Sequence, residues 1–207
     1  MKQKLFILFL ILFSTNLLSQ KTDKIISTSI YTSYFSYQTH TPLYVVYKLY
    51  KGGGKSSRNG MEFNSGGIIQ SATTADYKSS GYDIGHMANA EDFAYNSKLE
   101  ELTFRFYNAL PQLPKLNRGI WKHFETEIRK QSQTDSLLII CGGYNFNKKL
   151  NNKNVEIPDM CFKIVKNIRT KQIQCYIFPN DNSDSYKEIN IQQLYILSSY
   201  NFDKIIK

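Results

Sequence analysis

The stretch GYDIGHMANAEDF, residues 81–93, places His86, one of three histidines in the chain, directly after Asp-Ile-Gly. An imidazole can accept a proton from water near neutral pH, so His86 is a candidate general base. Asp83 lies three residues earlier and is a candidate for fixing the ring or the local turn, while Gly85 permits close backbone approach. A structural role for His86 stays open on this stretch alone.

A second stretch, TFRFYNALPQLPKLNRGIWKHFETEIRK at 103–130, supplies further polar groups. Its apolar spacing predicts a helix over residues 117–130. Side chains spaced by four run along one side of that helix: Asn117, Trp121, Glu125 and Arg129. An asparagine oxygen is a hard, neutral ligand suited to Mg²⁺, which keeps several waters that a carboxylate can hold. The alternative for the acid–arginine pair is a simple helix salt bridge.

The remaining pattern predicts one domain over residues 21–207, of α+β class, with a mixed, mostly antiparallel central sheet flanked by helices. Apolar runs and turn residues place the elements. Strands are predicted at 43–51, 66–72 and 136–146, a hairpin at 161–178, and further helices at 94–105 and 188–203.

The N-terminus is typical of a cleavable signal peptide over residues 1–20. A short basic start, MKQK, is followed by the apolar run LFILFLILF, which is shorter than a membrane-spanning helix requires. We therefore expect a secreted or periplasmic protein with no stable membrane association after cleavage; an uncleaved anchor is the alternative.

The chain is basic, with a formal charge of +9 at pH 7. A basic exported protein has nucleic acid, anionic cell surface or acidic polysaccharide as candidate partners, and charge alone does not choose among them. The loop GGGKSSRNG, residues 52–60, is either a phosphate-contacting segment or a solvated turn.

Three cysteines, Cys141, Cys161 and Cys175, lie in apolar, strand-like runs. The last two flank the predicted hairpin, so a disulfide across it is one possibility and buried thiols are the other, which we favour. The sequence has no CxxC or Cys/His spacing typical of a metal site.

Together, GYDIGHMANAEDF and FYNALPQLPKLNRGIWKHFE resemble the DNA/RNA non-specific endonucleases, which belong to the ββα-metal, or His-Me finger, nucleases. The resemblance is densest over residues 81–130 and extends more loosely through LLIICGG and the following hairpin. It implies a ββα-metal finger as the active site.

The resemblance also implies roles for individual residues. His86 matches the general base that activates water, and Asn117 matches the direct ligand of a single Mg²⁺, for which Mn²⁺ is a possible substitute. Glu125 matches the acid that orients the metal-bound waters, and Arg129 resembles a phosphate-contacting arginine. Two substrate-binding positions are matched more loosely: Asn108, in YNALPQ, and Arg58, in SSRNGMEF.

One position departs from the family pattern. Many members have Asp-Arg-Gly-His, whereas this chain has Ile84 in place of the arginine. Losing one electrostatic stabiliser can cost roughly 10²–10³ in rate, and a nearby cation, Lys51, Lys55, Arg58 or Lys78, is a candidate substitute.

The implied function is an exported, metal-dependent endonuclease that hydrolyses DNA and RNA with little sequence preference and leaves 5′-phosphate ends. A nucleic-acid-binding relative with weak or lost catalysis is the alternative, and a basic cell-surface binding module is a third. An inhibitor protein is a possible further partner.

Overall fold

A computed structural model describes residues 21–68 and 70–207, so the predicted signal peptide lies outside the described residues. Its main feature is a seven-stranded sheet in the order β1-β2-β3-β6-β7-β8-β9, with antiparallel pairing throughout. The strands are β1 (Lys24–Ser27), β2 (Tyr31–Ser36), β3 (Thr41–Leu49), β6 (Leu137–Lys149), β7 (Glu156–Asn167), β8 (Ile173–Pro179) and β9 (Lys187–Ile189). The predicted α+β class with a largely antiparallel sheet is confirmed.

A two-stranded unit, β4 (Asp83–His86) paired with β5 (Ala109–Gln112), is followed by two helices, α3 (Pro114–Arg118) and α4 (Ile120–Gln131). The prediction of one continuous helix over 117–130 is wrong, because the chain breaks at Gly119, whose backbone is not helical. A side chain at this position would meet Asp184 and the carbonyl of Lys115. The break puts the predicted metal ligand on α3 and the predicted acid on α4.

Other predicted elements are shorter than expected or missing. Residues 66–68 form turns rather than a strand, since Gly66 and Gly67 have positive φ. The helix predicted at 94–105 is reduced to α2, and the helix predicted at 188–203 is divided by a left-handed Ser199. The remaining helices are α1 (Thr74–Tyr77), α2 (Ser97–Glu101), α5 (Ile191–Ser198) and α6 (Asp203–Ile206). Within the described ranges, no helix is long and apolar enough to cross a bilayer.

The three cysteines are buried free thiols, so the disulfide alternative is wrong. Cys161 pairs with Phe178 across the hairpin, whereas Cys175 pairs with Ile164. Because positions 161 and 164 are an odd number of residues apart on one strand, their side chains point to opposite faces of the sheet. The two hairpin sulfurs therefore lie on opposite sides of the sheet.

Buried polar side chains form hydrogen bonds and contacts between the two-stranded unit and the large sheet. Asn180, at the end of β8, donates to the carbonyls of Pro111 and Pro158 at 2.9 Å and accepts from the Leu113 amide at 2.9 Å. Gln112 contacts the sulfur of Cys161 at 3.5 Å. These contacts fix the height of β4 and β5 above the sheet, and so the position of His86.

Candidate active site

Five of the six predicted site residues line one cleft of about 590 Å³ between the two-stranded unit and α4. They are Arg58, His86, Asn117, Glu125 and Arg129. The sixth, Asn108, is fully buried outside it. Arg118 and Lys122 add two more cations to the lining, so the cleft suits an anionic ligand.

His86 ends β4 with its ring between two aromatic side chains. The ring centroid lies 4.6 Å from that of Phe63 and 4.9 Å from that of Phe104. Its Nε2 is buried without a hydrogen-bond partner among the described residues. Burial, with a smaller contribution from the charge of Arg58, lowers the pKa of His86 to about 3. The imidazole is therefore neutral at neutral pH, the form that can accept a proton.

Asn117 is oriented by Asp83. Its amide nitrogen donates to Asp83 Oδ2 at 2.9 Å, and Arg118 donates to both oxygens of the same carboxylate, at 2.8 and 2.6 Å. Although burial acts to raise the pKa of Asp83, the hydrogen bonds from Arg118 and Asn117 hold it below its usual value. Because the amide nitrogen is committed to Asp83, the side-chain oxygen of Asn117 is the atom left for a ligand.

Glu125 lies at the floor of the cleft above a buried lysine. Lys163 Nζ is 3.8 Å from Glu125 Oε1, 3.5 Å from the centroid of the Trp121 ring and 3.5 Å from Cys141 Sγ. The lysine is fully buried and the glutamate 7% exposed. Burial raises the pKa of Glu125, and the charges of Lys163 and Arg129 oppose that rise.

Arg129 forms a second buried ion pair one turn further along α4. Its Nε lies 3.1 Å from Asp92 Oδ1, and its guanidinium donates to Asn89 Oδ1 at 3.3 Å. Tyr47 donates its hydroxyl to the other Asp92 oxygen at 3.0 Å. Burial raises the pKa of Asp92 to about 7 against the opposing charge of Arg129. Arg129 is therefore fixed by Asp92 and Asn89 and also lines the cleft.

Arg58 extends from the basic loop, residues 52–60, to the cleft and pairs with two carboxylates. It lies 2.7 Å from Glu91 Oε2 and 2.8 Å from the buried Glu100 Oε1. Ser56 also hydrogen-bonds Glu100. The loop is therefore held by side-chain contacts to α2 and to the short 3-10 turn Ala90–Phe93, so it is not a free solvated turn.

The assignment of Asn108 to substrate binding is inconsistent with this structure. The side chain is fully buried and its amide is consumed by backbone groups. It accepts from the Ala88 amide at 2.8 Å and donates to the carbonyls of Ala88 and Thr103 at 2.9 and 2.8 Å. Asn108 instead fixes the backbone at Ala88, two residues after His86, so it helps to position the His86 side chain.

The donor set fits a lightly held Mg²⁺. Asn117 offers a hard amide oxygen, and Glu125 offers a carboxylate at the floor of the same cleft. Within the described ranges no group of three or more His, Cys, Asp or Glu side chains is arranged to hold a metal ion. A Mg²⁺ that keeps most of its waters needs only one or two protein ligands.

Sequence reasoning missed several groups that build this site. Asp83, a candidate for fixing the imidazole ring or the local turn, accepts hydrogen bonds from Asn117 and Arg118. Nothing local marks Asp92 as functional, because it becomes informative only through its burial beside Arg129 of a distant helix. A charged residue inside an otherwise apolar strand, as in CFKIV, is the signal that identifies Lys163.

A neutral imidazole, a free amide oxygen and several arginines in one cleft define a site for a phosphate-bearing ligand. The family described as DNA/RNA non-specific endonuclease matches residues 11–203. The chain therefore belongs to the DNA/RNA non-specific endonuclease family.

Individual relatives carry nuclease names. The chain is 31% identical over 122 residues to mitochondrial endonuclease G of Bos taurus, covering 56% of this chain and 41% of the relative. It is 32% identical over 149 residues to a nuclease of Nostoc sp., covering 63% and 53%. The matches thus span about half or less of these curated relatives.

A solved complex of EndoG with EndoGI, which addresses the mechanism of EndoG inhibition, shares the fold. The TM-score is 0.76 at 22% identity, over 87% of this chain and 86% of that chain.

Proposed function

We propose that this protein is an exported, metal-dependent endonuclease that hydrolyses phosphodiester bonds of DNA and RNA with little sequence preference. The observation that carries the proposal is the shared cleft of His86, Asn117 and Glu125, with arginines at its walls. Contacts directed at phosphates carry little sequence information, which supports a broad range of substrates.

His86 is the proposed general base. Its neutral ring takes a proton from a water molecule as the oxygen of that water forms a bond to phosphorus. The bond from phosphorus to the 3′ oxygen breaks, the 3′ oxygen is protonated from solvent, and the product carries a 5′-phosphate. Asn108 and the β4–β5 pairing hold the imidazole at a fixed height for this transfer.

Asn117 is the proposed metal ligand and Glu125 the proposed holder of metal-bound waters. When bound, Mg²⁺, or Mn²⁺ in its place, would neutralise charge on the phosphate oxygens and lower the pKa of bound water. Asp83 keeps the amide oxygen of Asn117 available, and the charge of Lys163 opposes the rise in the pKa of Glu125 that burial causes. Arg129 and Arg58 are the proposed phosphate contacts of the cleft walls.

The test is cleavage of supercoiled plasmid and of total RNA by the purified chain, with Mg²⁺, with Mn²⁺ and with EDTA. We expect cleavage of both polymers with either metal, no cleavage in EDTA, and loss of cleavage in His86→Ala. A folded chain that cleaves neither polymer with any divalent metal would leave the binding relative as the correct alternative, in keeping with Ile84.

Export and an inhibitor are separate parts of the proposal. The apolar N-terminal run supports export, and a precursor and shortened product in fractionated cells would test it. The structural relative was solved with EndoGI, which supports an inhibitor partner for this chain. Co-purification of a protein that blocks cleavage is the corresponding test.

A further inference from the structure

Arg118 differs from the other arginines of the cleft in how it is held. Its side chain is 71% exposed, and its only carboxylate partner among the described residues is Asp83. Arg129 is 16% exposed and paired with a buried acid, while Arg58 is divided between two carboxylates. The exposed guanidinium is open to a second oxyanion, so a phosphate can replace the Asp83 carboxylate, to which Arg118 donates at 2.8 and 2.6 Å.

Asp83 retains a partner when Arg118 leaves. The carboxylate also accepts from the amide of Asn117 at 2.9 Å, a bond that does not involve the arginine. Arg118 follows Asn117 directly at the end of α3, so its guanidinium and the proposed metal ligand enter the cleft from adjacent positions. A phosphate beside Asn117 would therefore lie within the range of this side chain.

Position 84 does not supply a cation to this region. Ile84 packs against a small apolar cluster with Phe63 and Phe106, and it is not part of the cleft lining. Of the four substitutes considered from sequence, Lys51, Lys55 and Lys78 do not line the cleft either. Arg58 does, but its charge is matched by two acids.

We propose that Arg118 is a substrate-binding residue that exchanges the Asp83 carboxylate for a phosphate oxygen of the nucleic acid beside the bond to be cleaved. It thereby supplies the cation that position 84 lacks. The role of Arg118 in the reaction rests on the proposed function. Its predicted contribution to nucleic-acid binding does not.

Arg118→Gln tests the exchange, with Arg169→Gln as a matched control. Arg169 is 76% exposed and pairs with Asp135, an acid as exposed as Asp83, on a part of the surface outside the cleft. Binding of a fluorescent oligonucleotide is measured in EDTA across a salt series, so that no cleavage is needed. We expect roughly tenfold weaker binding for the cleft variant and a salt slope smaller by about one.

Arg169→Gln should bind like the unmodified chain. Arg118→Lys should retain part of the affinity, because the ammonium keeps the positive charge but lacks the paired donors of the guanidinium. In cleavage assays we expect the loss mainly in KM, with the Mg²⁺ requirement unchanged.

Equal affinity and salt slope for the two glutamine variants would overturn the inference, whether or not the chain cleaves. An Arg118-dependent slope in a chain that fails to cleave would instead uphold the contact and remove the proposed catalysis. The two proposals therefore fail by different results.

Discussion

Lys163 and Glu125 form a buried ion pair beneath the cleft, with the ammonium 3.8 Å from the carboxylate. The lysine comes from the centre of the sheet, and it is stacked 3.5 Å over the ring of Trp121. Since both charges are buried, neither can leave the other without exposing an uncompensated charge to a low dielectric. The pair therefore joins the proposed water-holding acid to strand β7 of the large sheet.

Lys163→Met should destabilise the protein by about 3–5 kcal/mol, because it leaves a buried carboxylate without its cation. Urea unfolding measures the change. The double variant Lys163→Met with Glu125→Gln should lose less free energy of unfolding than the sum of the two single variants, because neither charge is then left without its partner.

Lys166→Met is the matched control, on the same strand and also mostly buried. That lysine donates to the main-chain oxygens of Ile206 and Lys207, the latter at 3.2 Å, rather than to a side-chain carboxylate. We expect a smaller loss and no coupling to Glu125. Additive losses for Lys163 and Glu125 would show that the two charges do not support each other.

Asp83→Ala should raise the Mg²⁺ concentration needed for half-maximal cleavage by about 10- to 100-fold, which is the usual effect of removing a residue that orients a metal ligand. The amide of Asn117 loses its acceptor at 2.9 Å and is then free to rotate. A Mg²⁺ titration of cleavage at saturating nucleic acid measures the change.

Asp135→Ala removes an equally exposed acid that also pairs with an arginine, outside the cleft. It should leave the Mg²⁺ titration unchanged. If Asp83→Ala altered only the affinity for nucleic acid, the carboxylate would serve Arg118 rather than Asn117.

Acid should destabilise the native chain through His86. Burial lowers its pKa from 6.5 to about 3, so between these values the unfolded state binds a proton that the folded state does not. Stability therefore falls as pH decreases through this window and is insensitive to this group above it. We expect His86→Gln to lose less stability than the unmodified chain between pH 7 and pH 4.

The measurement is urea unfolding at a series of pH values, analysed as the difference between the two proteins. Other titrating groups, including Asp92, largely cancel in that difference. His123→Gln, on the exposed side of α4, controls for removal of an imidazole. Parallel stability curves for His86→Gln and the unmodified chain would contradict a half-buried ring that stays neutral in the folded protein.

The sequence was informative where chemistry and periodicity coincide. The strand composition of 136–146 and the 161–178 hairpin predicted β6, β7 and β8, because buried central strands are written as continuous apolar runs. His86 and Asn117 were predicted as site residues because short motifs contain them. Their meeting in one cleft depends on the β4–β5 pairing, which no local pattern announces.

What escaped prediction is non-local. Gly119 weakens the helix locally, but the break is stabilised by Asp184, a distant residue whose Oδ1 accepts from the Ile120 amide at 2.8 Å. Asn108 was placed in substrate binding from its motif, but its role depends on three backbone groups brought to it by folding. Buried ion pairs such as Lys163 with Glu125 are likewise visible only once strands and helices are packed.

Gly85→Ala should disturb His86 through steric overlap with Gln112. An added Cβ would lie 2.6 Å from Gln112 Cδ, and that side chain is fully buried and held against Cys161 at 3.5 Å. Overpacking of this kind costs about 1–3 kcal/mol, and the shift of β4 should also lower cleavage. In a Gln112→Ala background the added methyl group finds space, so the same change should cost little further stability. Urea unfolding of the four proteins gives the coupling; an equal cost in both backgrounds would show that a contact other than the one with Gln112 requires glycine next to His86, the proposed general base.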